Sequence, residues 1–164
     1  MTVRVSGLKA DLISAVPGLR AFALSLCGNA DKADDLVQET LVKAYGGLSS
    51  FAEGTNLMAW LITILRNAYY NERKKGWREV ADPEGVIAGQ LVSPPAQDAH
   101  MDLLDFRTAL QQLPPDQREA LLLIGASGFS YDEAAAICTC APGTMKSRVN
   151  RARERLSDLL GLEK

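Results

Sequence analysis

Apolar positions recur at helical spacing in blocks along the chain, and polar or glycine- and proline-containing breaks separate them. Leu8, Leu12, Ile13 and Val16 predict a first helix, interrupted at Pro17-Gly18 because proline has no N–H to donate inside a helix. Leu19 to Cys27 resumes as a mostly apolar helix ending at Gly28. The clearest periodicity of this half spans about Lys32 to Leu48, with Asn29 or Asp31 as its cap. Ala33, Leu36, Val37, Thr40, Leu41, Ala44 and Leu48 form its buried face. The opposite face carries Asp31, Asp35, Gln38 and Glu39, and steps of about 100° per residue place Val42 inside that acidic arc. After a polar loop over residues 49–56, Asn56 caps a long helix from Leu57 to about Lys75. Its inner stripe is Leu57, Trp60, Leu61, Ile64, Leu65 and Ala68, with Trp60 and Tyr69 read as core residues.

Residues 78–100 change character. Asp82-Pro83, Gly85, Gly89 and Ser93-Pro94-Pro95 break any helix longer than a turn or two, so the stretch reads as a flexible linker. Fully extended it reaches about 75 Å. A second domain begins near Met101. Leu103, Phe106, Leu110 and Leu113 line one face of a helix that stops at Pro114-Pro115. Another starts at Pro115 or Asp116, places Leu121 to Ile124 in the core, and has Gly125 and Gly128 near its end. Ser130 and Glu133 form a capping box that opens a short helix at Tyr131. Residues 138–141 leave room only for a tight turn, and Pro142 suits the first position of a last helix. There Met145, Val149, Ala152 and Leu156 make one apolar stripe, away from Lys146, Ser147, Asn150, Arg151 and Arg153. No strand signal and no internal repeat occur. The pattern predicts an all-α protein of two small helical domains, residues 1–77 and 101–164, joined by the linker 78–100.

An apolar fraction of 47% supports packed cores. The net charge is only −2, but it is unevenly spread. Residues 66–78 and 146–155 each carry a net +4, which leaves −10 on the rest. Two compact basic segments in an acidic body predict two separate contacts with a polyanion. The three cysteines are an odd number and no secretory signal is evident, which fits reduced thiols and a cytoplasmic setting. No apolar run looks long enough to span a membrane. Cys138 and Cys140 form a C-x-C pair, but a zinc site needs further ligands and the single histidine, His100, is remote in sequence. Cys27 reads as a core residue. No phosphate-cradling glycine loop and no nucleophile–base constellation is present, so neither enzyme activity, nor a metal, nor a cofactor is expected.

The C-terminal pair of helices, with its apolar back and cationic, hydrogen-bonding front, describes a helix-turn-helix whose second helix enters the DNA major groove. Lys146, Ser147, Arg148, Asn150 and Arg151 are the candidate readers, since Arg and Lys suit guanine and Asn suits adenine. The competing reading is a solvated basic helix; capping box, turn length and stripe together favour DNA. On the long helix, Arg66, Asn67, Tyr70, Asn71, Arg73 and Lys74 combine cations, amides and an aromatic ring, chemistry suited to single-stranded DNA. The acidic arc Asp35, Gln38, Glu39 and Val42 could be a protein-docking surface, although the pattern alone favours an ordinary solvated face.

Three segments resemble the extracytoplasmic-function sigma factors: Asp34-Asp35-Leu36-Val37-Gln38-Glu39-Thr40, Ala59-Trp60-Leu61 through Arg66-Asn67, and Gly143-Thr144-Met145-Lys146-Ser147-Arg148 through Arg151-Ala152-Arg153. They lie in the family's order and spacing over nearly the whole chain. Gly54-Thr55-Asn56-Leu57 and the proline-rich linker look most like the alphaproteobacterial general-stress-response branch. The resemblance implies sigma domain 2, with core RNA polymerase docking at Asp35, Gln38, Glu39 and Val42, and sigma domain 4, with the −35 element read by the last helix. It implies that the loop with Phe51, Thr55 and Asn56 helps hold a flipped base of the −10 element, with Asn67 and Asn71 lining the pocket. Asn150 departs from relatives that carry an aromatic there. The resemblance further implies control by a small helical anti-sigma factor. A stand-alone helix-turn-helix regulator would lack the basic long helix, and a sigma-like mimic that only sequesters an anti-sigma factor would need neither cationic surface.

Overall fold

The computed structural model describes residues 2–79 and 98–162, and among these no strand occurs. The helices are α1 (Thr2–Cys27), α2 (Ala30–Gly46), α3 (Leu57–Glu79), α4 (Asp98–Gln112), α5 (Pro115–Leu121), α6 (Tyr131–Cys138) and α7 (Pro142–Leu160). They gather into two compact units. One comprises α1 to Leu24, α2 and α3; the other comprises α4 to α7 and takes in Ser25–Gly28. The expected linker lies largely outside the described residues. At its edges α3 continues beyond Lys75 to Glu79, and α4 starts at Asp98, three residues before Met101.

In the first unit α1 runs unbroken through Pro17, so the expected interruption at Pro17-Gly18 does not occur. Leu12, Ala15, Leu19, Phe22 and Ala23 are buried on both sides of the proline. That packing offsets the roughly 3 kcal/mol an interior proline costs. At Gly18 a Cβ would meet only the terminal methyl of Met58 of α3, at 3.0 Å, a contact that the flexible side chain relieves by shifting. Because the helix is continuous, Gly7–Cys27 is long and apolar enough to cross a membrane by length and composition. This corrects the expectation that no such run exists. Here its buried residues instead serve the helical core, and Lys9, Asp11 and Arg20 lie exposed along it.

Asn29 caps α2, its side chain accepting from the Lys32 N–H at 3.0 Å. Ala33, Leu36, Val37, Thr40 and Ala44 are buried as the periodicity requires, and the buried Thr40 hydroxyl donates to the Leu36 carbonyl. Leu41 and Leu48 are only half-buried. Leu48 falls beyond α2, in a 3-10 turn over Leu48–Ser50. Asn56 caps α3 by accepting from the Ala59 N–H at 3.1 Å. Leu61, Leu65, Ala68 and Tyr69 are buried as expected, and so is Ile62, which lies outside the expected stripe. Trp60 is half-buried and packs against Phe51, ring centres 5.2 Å apart.

In the second unit Leu110 and Leu113 are buried, whereas Leu103 and Phe106 on the same expected face are exposed. Arg118 of α5 is buried and donates to the carbonyls of Leu110, Gln111 and Leu113 at 2.9 Å each, closing the corner between α4 and α5. The helix path then widens into a π-turn over Leu122–Ala126, with Leu122 and Leu123 buried. Gly128, at φ +74°, makes the left-handed turn into the Ser130 cap. Both reciprocal hydrogen bonds of the capping box are formed, and such a cap contributes about 1 kcal/mol. Cys138 donates its thiol to the buried Glu119 carboxylate at 2.6 Å, tying α6 to α5.

Candidate nucleic-acid interface

Thr139, at φ +55°, ends α6 in the left-handed conformation, and Ala141 leads into α7 with Pro142 at its first turn. The resulting helix-turn-helix buries Met145, Val149 and Ala152 completely, with α7 packed on α4, α5 and α6. Leu156 is half-buried. Helical stepping of about 100° per residue then aims Ser147, Asn150, Arg151 and Gly143 away from the core. Lys146 and Arg153 lie on one flank, Arg148 on the other. Lys146, Ser147, Asn150, Arg151 and Arg153 are exposed. Arg148 differs. It is half-buried, 3.7 Å from the Asp116 carboxylate of α5, with a second guanidinium nitrogen 3.9 Å from the Cys140 sulfur. Its charge is thus shared between the exposed face of α7 and the body of the unit. The arrangement presents a cationic, amide-bearing ridge on the second helix of a helix-turn-helix, the element that enters a major groove in proteins of that kind.

On α3, Asn67, Asn71, Arg73 and Lys74 are exposed and Arg66 and Tyr70 are half-exposed. Two cation–ring pairs organise this surface. Arg66 lies 5.0 Å from the Tyr70 ring centre, and Arg73 lies 5.6 Å from that of Tyr69 while donating to its hydroxyl at 3.1 Å. Tyr69 and Tyr70 meet edge to face. Arg66 also donates to the Asn67 side-chain carbonyl at 3.3 Å. These contacts hold long cationic side chains against rings, which lowers the entropy such side chains lose on engaging an anion. In the preceding loop Phe51 is half-buried, while Thr55 and Asn56 are exposed. The Thr55 hydroxyl and the Asn56 side-chain oxygen are both engaged in the loop's own turn and cap. An open groove of about 330 Å³ runs between this loop and the start of α1, bordered by Leu8, Asp11, Phe51, Glu53, Thr55 and Leu57. Of the α1 residues of that groove, Leu8 belongs to the apolar pattern and Asp11 carries no signal in it.

On α2, Asp35, Gln38, Glu39 and Val42 are all exposed, Val42 at 68%. Glu39 pairs with Lys43 one turn on at 3.0 Å, and Asp34 pairs with Arg20 of α1 at 2.8 Å. Among the described residues no group of His, Cys, Asp and Glu side chains could hold a metal ion.

Residues 12–79 match the Sigma-70 region 2 family, and residues 103–156 match Sigma-70 region 4. Over 153 residues the chain is 61% identical to the ECF RNA polymerase sigma factor EcfG of Rhodopseudomonas palustris, covering 93% of this chain and 84% of that protein. The chain belongs to the ECF sigma factors. It is an RNA polymerase sigma factor, a class of subunit that brings core polymerase to promoter DNA. A more distant relative, the Mycobacterium tuberculosis sigma factor SigC, is 39% identical over 76% of this chain and 68% of its own length. Among solved structures, this sigma factor is similar to RpoE of Bartonella quintana in complex with the anti-sigma factor NepR. The TM-score is 0.85 at 54% identity, covering 96% of this chain and 99% of that one. It is also similar to CnrH bound to the cytosolic domain of CnrY, with a TM-score of 0.67 at 25% identity, covering 98% of this chain and 90% of that one. The sigma factor's α1, α2 and α3 thus carry region 2, and α4 to α7 carry region 4.

Proposed function

We propose that this sigma factor directs initiation by splitting promoter recognition between its two halves. Residues 1–77 act as the −10 and polymerase-docking module, residues 101–164 act as the −35 module, and residues 78–100 tether them. The single observation that carries the assignment is the division of α7: Met145, Val149 and Ala152 are fully buried while Lys146, Ser147, Asn150 and Arg151 stand exposed on the second helix of a helix-turn-helix. In this reading Arg148, Asn150 and Arg151 contact base edges while Lys146 and Ser147 also hold phosphates. Arg66, Tyr70, Arg73 and Lys74 hold the melted strand. Phe51, Thr55, Asn56, Asn67 and Asn71 line the seat of the extruded −10 base, whose lost stacking costs a few kcal/mol. Asp35, Gln38, Glu39 and Val42 dock core polymerase.

The chain is not itself a catalyst and works in the cytoplasm, on a stress regulon. A small helical anti-sigma factor holds it inactive, as the complex of the Bartonella relative with NepR supports. A sigma-like mimic would need no cationic ridge, and this chain exposes two. The docking assignment is tested by changing Glu39 and Val42 together, Glu39→Ala with Val42→Ser. Affinity for core polymerase, followed by fluorescence anisotropy of the labelled full chain, is expected to fall by about tenfold or more, since central apolar contacts dominate interface energies. Unchanged affinity would remove the docking role from α2.

A further inference from the structure

Asp116 lies in the first turn of α5, outside the helix-turn-helix formed by α6 and α7, yet it meets the one candidate reader of α7 that is not fully exposed. Its two carboxylate oxygens are divided. Oδ1 accepts from the Gln117 N–H at 2.9 Å, one of the backbone donors that the start of α5 leaves without an intrahelical partner. Oδ2 faces Nε of Arg148 at 3.7 Å. The first contact ties the carboxylate to the end of α5, and the second aims it at α7.

The Arg148 side chain is 28% exposed, so it leans on the body of the unit instead of extending into water. Its Nη1 lies 3.9 Å from Sγ of Cys140, in the turn that precedes α7. The guanidinium is therefore held from two directions, by a carboxylate of α5 and by the sulfur of the turn. Lys146, Asn150 and Arg151 stand exposed on the same helix.

An ion pair this open to water contributes little to folding. Its effect falls on recognition. An arginine that swings freely can exchange a base edge for a neighbouring phosphate, and phosphates carry no sequence information. A guanidinium whose Nε is engaged instead offers its two terminal nitrogens as an end-on fork in a set direction. That fork matches O6 and N7 of guanine. Held in advance, it also loses less entropy on binding. The negative charge of Asp116 beside the reading helix weakens attachment to phosphates of any sequence.

We propose that Asp116 is a positioning residue for −35 recognition: by holding the Arg148 guanidinium, it makes that side chain a base contact instead of a phosphate contact. The proposal rests on the −35 reading given to α7 above and adds to it a residue from outside the helix-turn-helix. Asp116 acts through Arg148 and needs no DNA contact of its own.

The test uses holoenzyme assembled from the full chain and purified alphaproteobacterial core RNA polymerase. It is mixed with promoter duplexes randomised across the −35 element, and the bound duplexes are sequenced. In Asp116→Asn the amide keeps an oxygen for the Gln117 N–H and removes the charge that holds Arg148. This variant is expected to cut discrimination at one −35 base pair by about five- to tenfold and to leave the base pair read by Arg151 unchanged. Duplexes mismatched throughout the element should bind about twofold more tightly or better, the reverse of what damage to the fold would give. Arg148→Ala is expected to lose discrimination at the same base pair, and Asp116→Asn added to it should change nothing further there. Undiminished discrimination in Asp116→Asn would overturn the proposal while leaving α7 as the −35 reader. A further loss in the Arg148→Ala background would overturn it too, because Asp116 would then act by another route. So would a uniform loss at every base pair together with a lower melting temperature, the mark of a purely structural residue. If wild-type holoenzyme shows no −35 preference at all, the α7 reading falls and the proposal with it.

Discussion

Replacing Arg151 by alanine is expected to lower −35-dependent transcription by about 5- to 150-fold, the equivalent of the roughly 1–3 kcal/mol carried by one good bidentate base contact. Arg151 is exposed near the crest of α7, almost opposite the buried Met145, Val149 and Ala152 stripe, so its removal leaves no cavity. Its guanidinium presents two parallel donors that match the acceptor edge of guanine, which lysine at that position could not reproduce. The loss should therefore be base-specific. A run-off transcription series with each −35 base pair changed in turn should show one position at which the alanine variant no longer discriminates. Affinity for core polymerase should be unchanged. A uniform loss at every sequence would instead mark Arg151 as a phosphate contact. No loss at all would remove it from the interface.

A second large effect is expected at Arg118, which touches no DNA in this account. Its guanidinium is buried and satisfies the carbonyls of Leu110, Gln111 and Leu113 where α4 turns into α5. Hydrogen bonds to charged groups contribute about 1.5–3 kcal/mol each, and carbonyls left without partners in the core add a further penalty. Arg118→Ala should therefore destabilise region 4 by about 4 kcal/mol or more, enough to leave much of it unfolded. Hydrogen–deuterium exchange of the full chain reads this directly. Amides of α5 to α7 should exchange far faster, while those of α2 and α3 keep their protection. Unaltered protection in α5 to α7 would mean that the corner is held by packing alone.

Much of this was legible in the chain because it rests on local rules. The capping box of Ser130 and Glu133, the Asn29 and Asn56 caps and the α7 stripe each depend on residues within a few positions of one another, and each is formed as expected. What was hidden depends on distant partners. Pro17 looked like a stop because a local rule says so, yet packing by residues on both sides of it carries α1 through. Ile13, Leu103 and Phe106 matched the pattern of buried residues and proved exposed, because periodicity identifies a face and not what covers it. Arg118 sat in a run that reads as surface, and nothing in that run announces the four carbonyls it serves, that of Leu26 among them. Arg148 looked identical to its neighbours on the last helix until Asp116 was seen beside it.

The central claim is that the two cationic helices, α3 and α7, read two elements of one promoter while region 2 holds the polymerase. Run-off transcription with purified alphaproteobacterial core RNA polymerase, the full chain and a library of promoters randomised in both elements measures this most directly. The account predicts transcripts from defined start sites, enriched for one sequence near −10 and another near −35, with the −35 preference alone erased by Arg151→Ala. Transcription that starts at random, or that ignores either element, would contradict it.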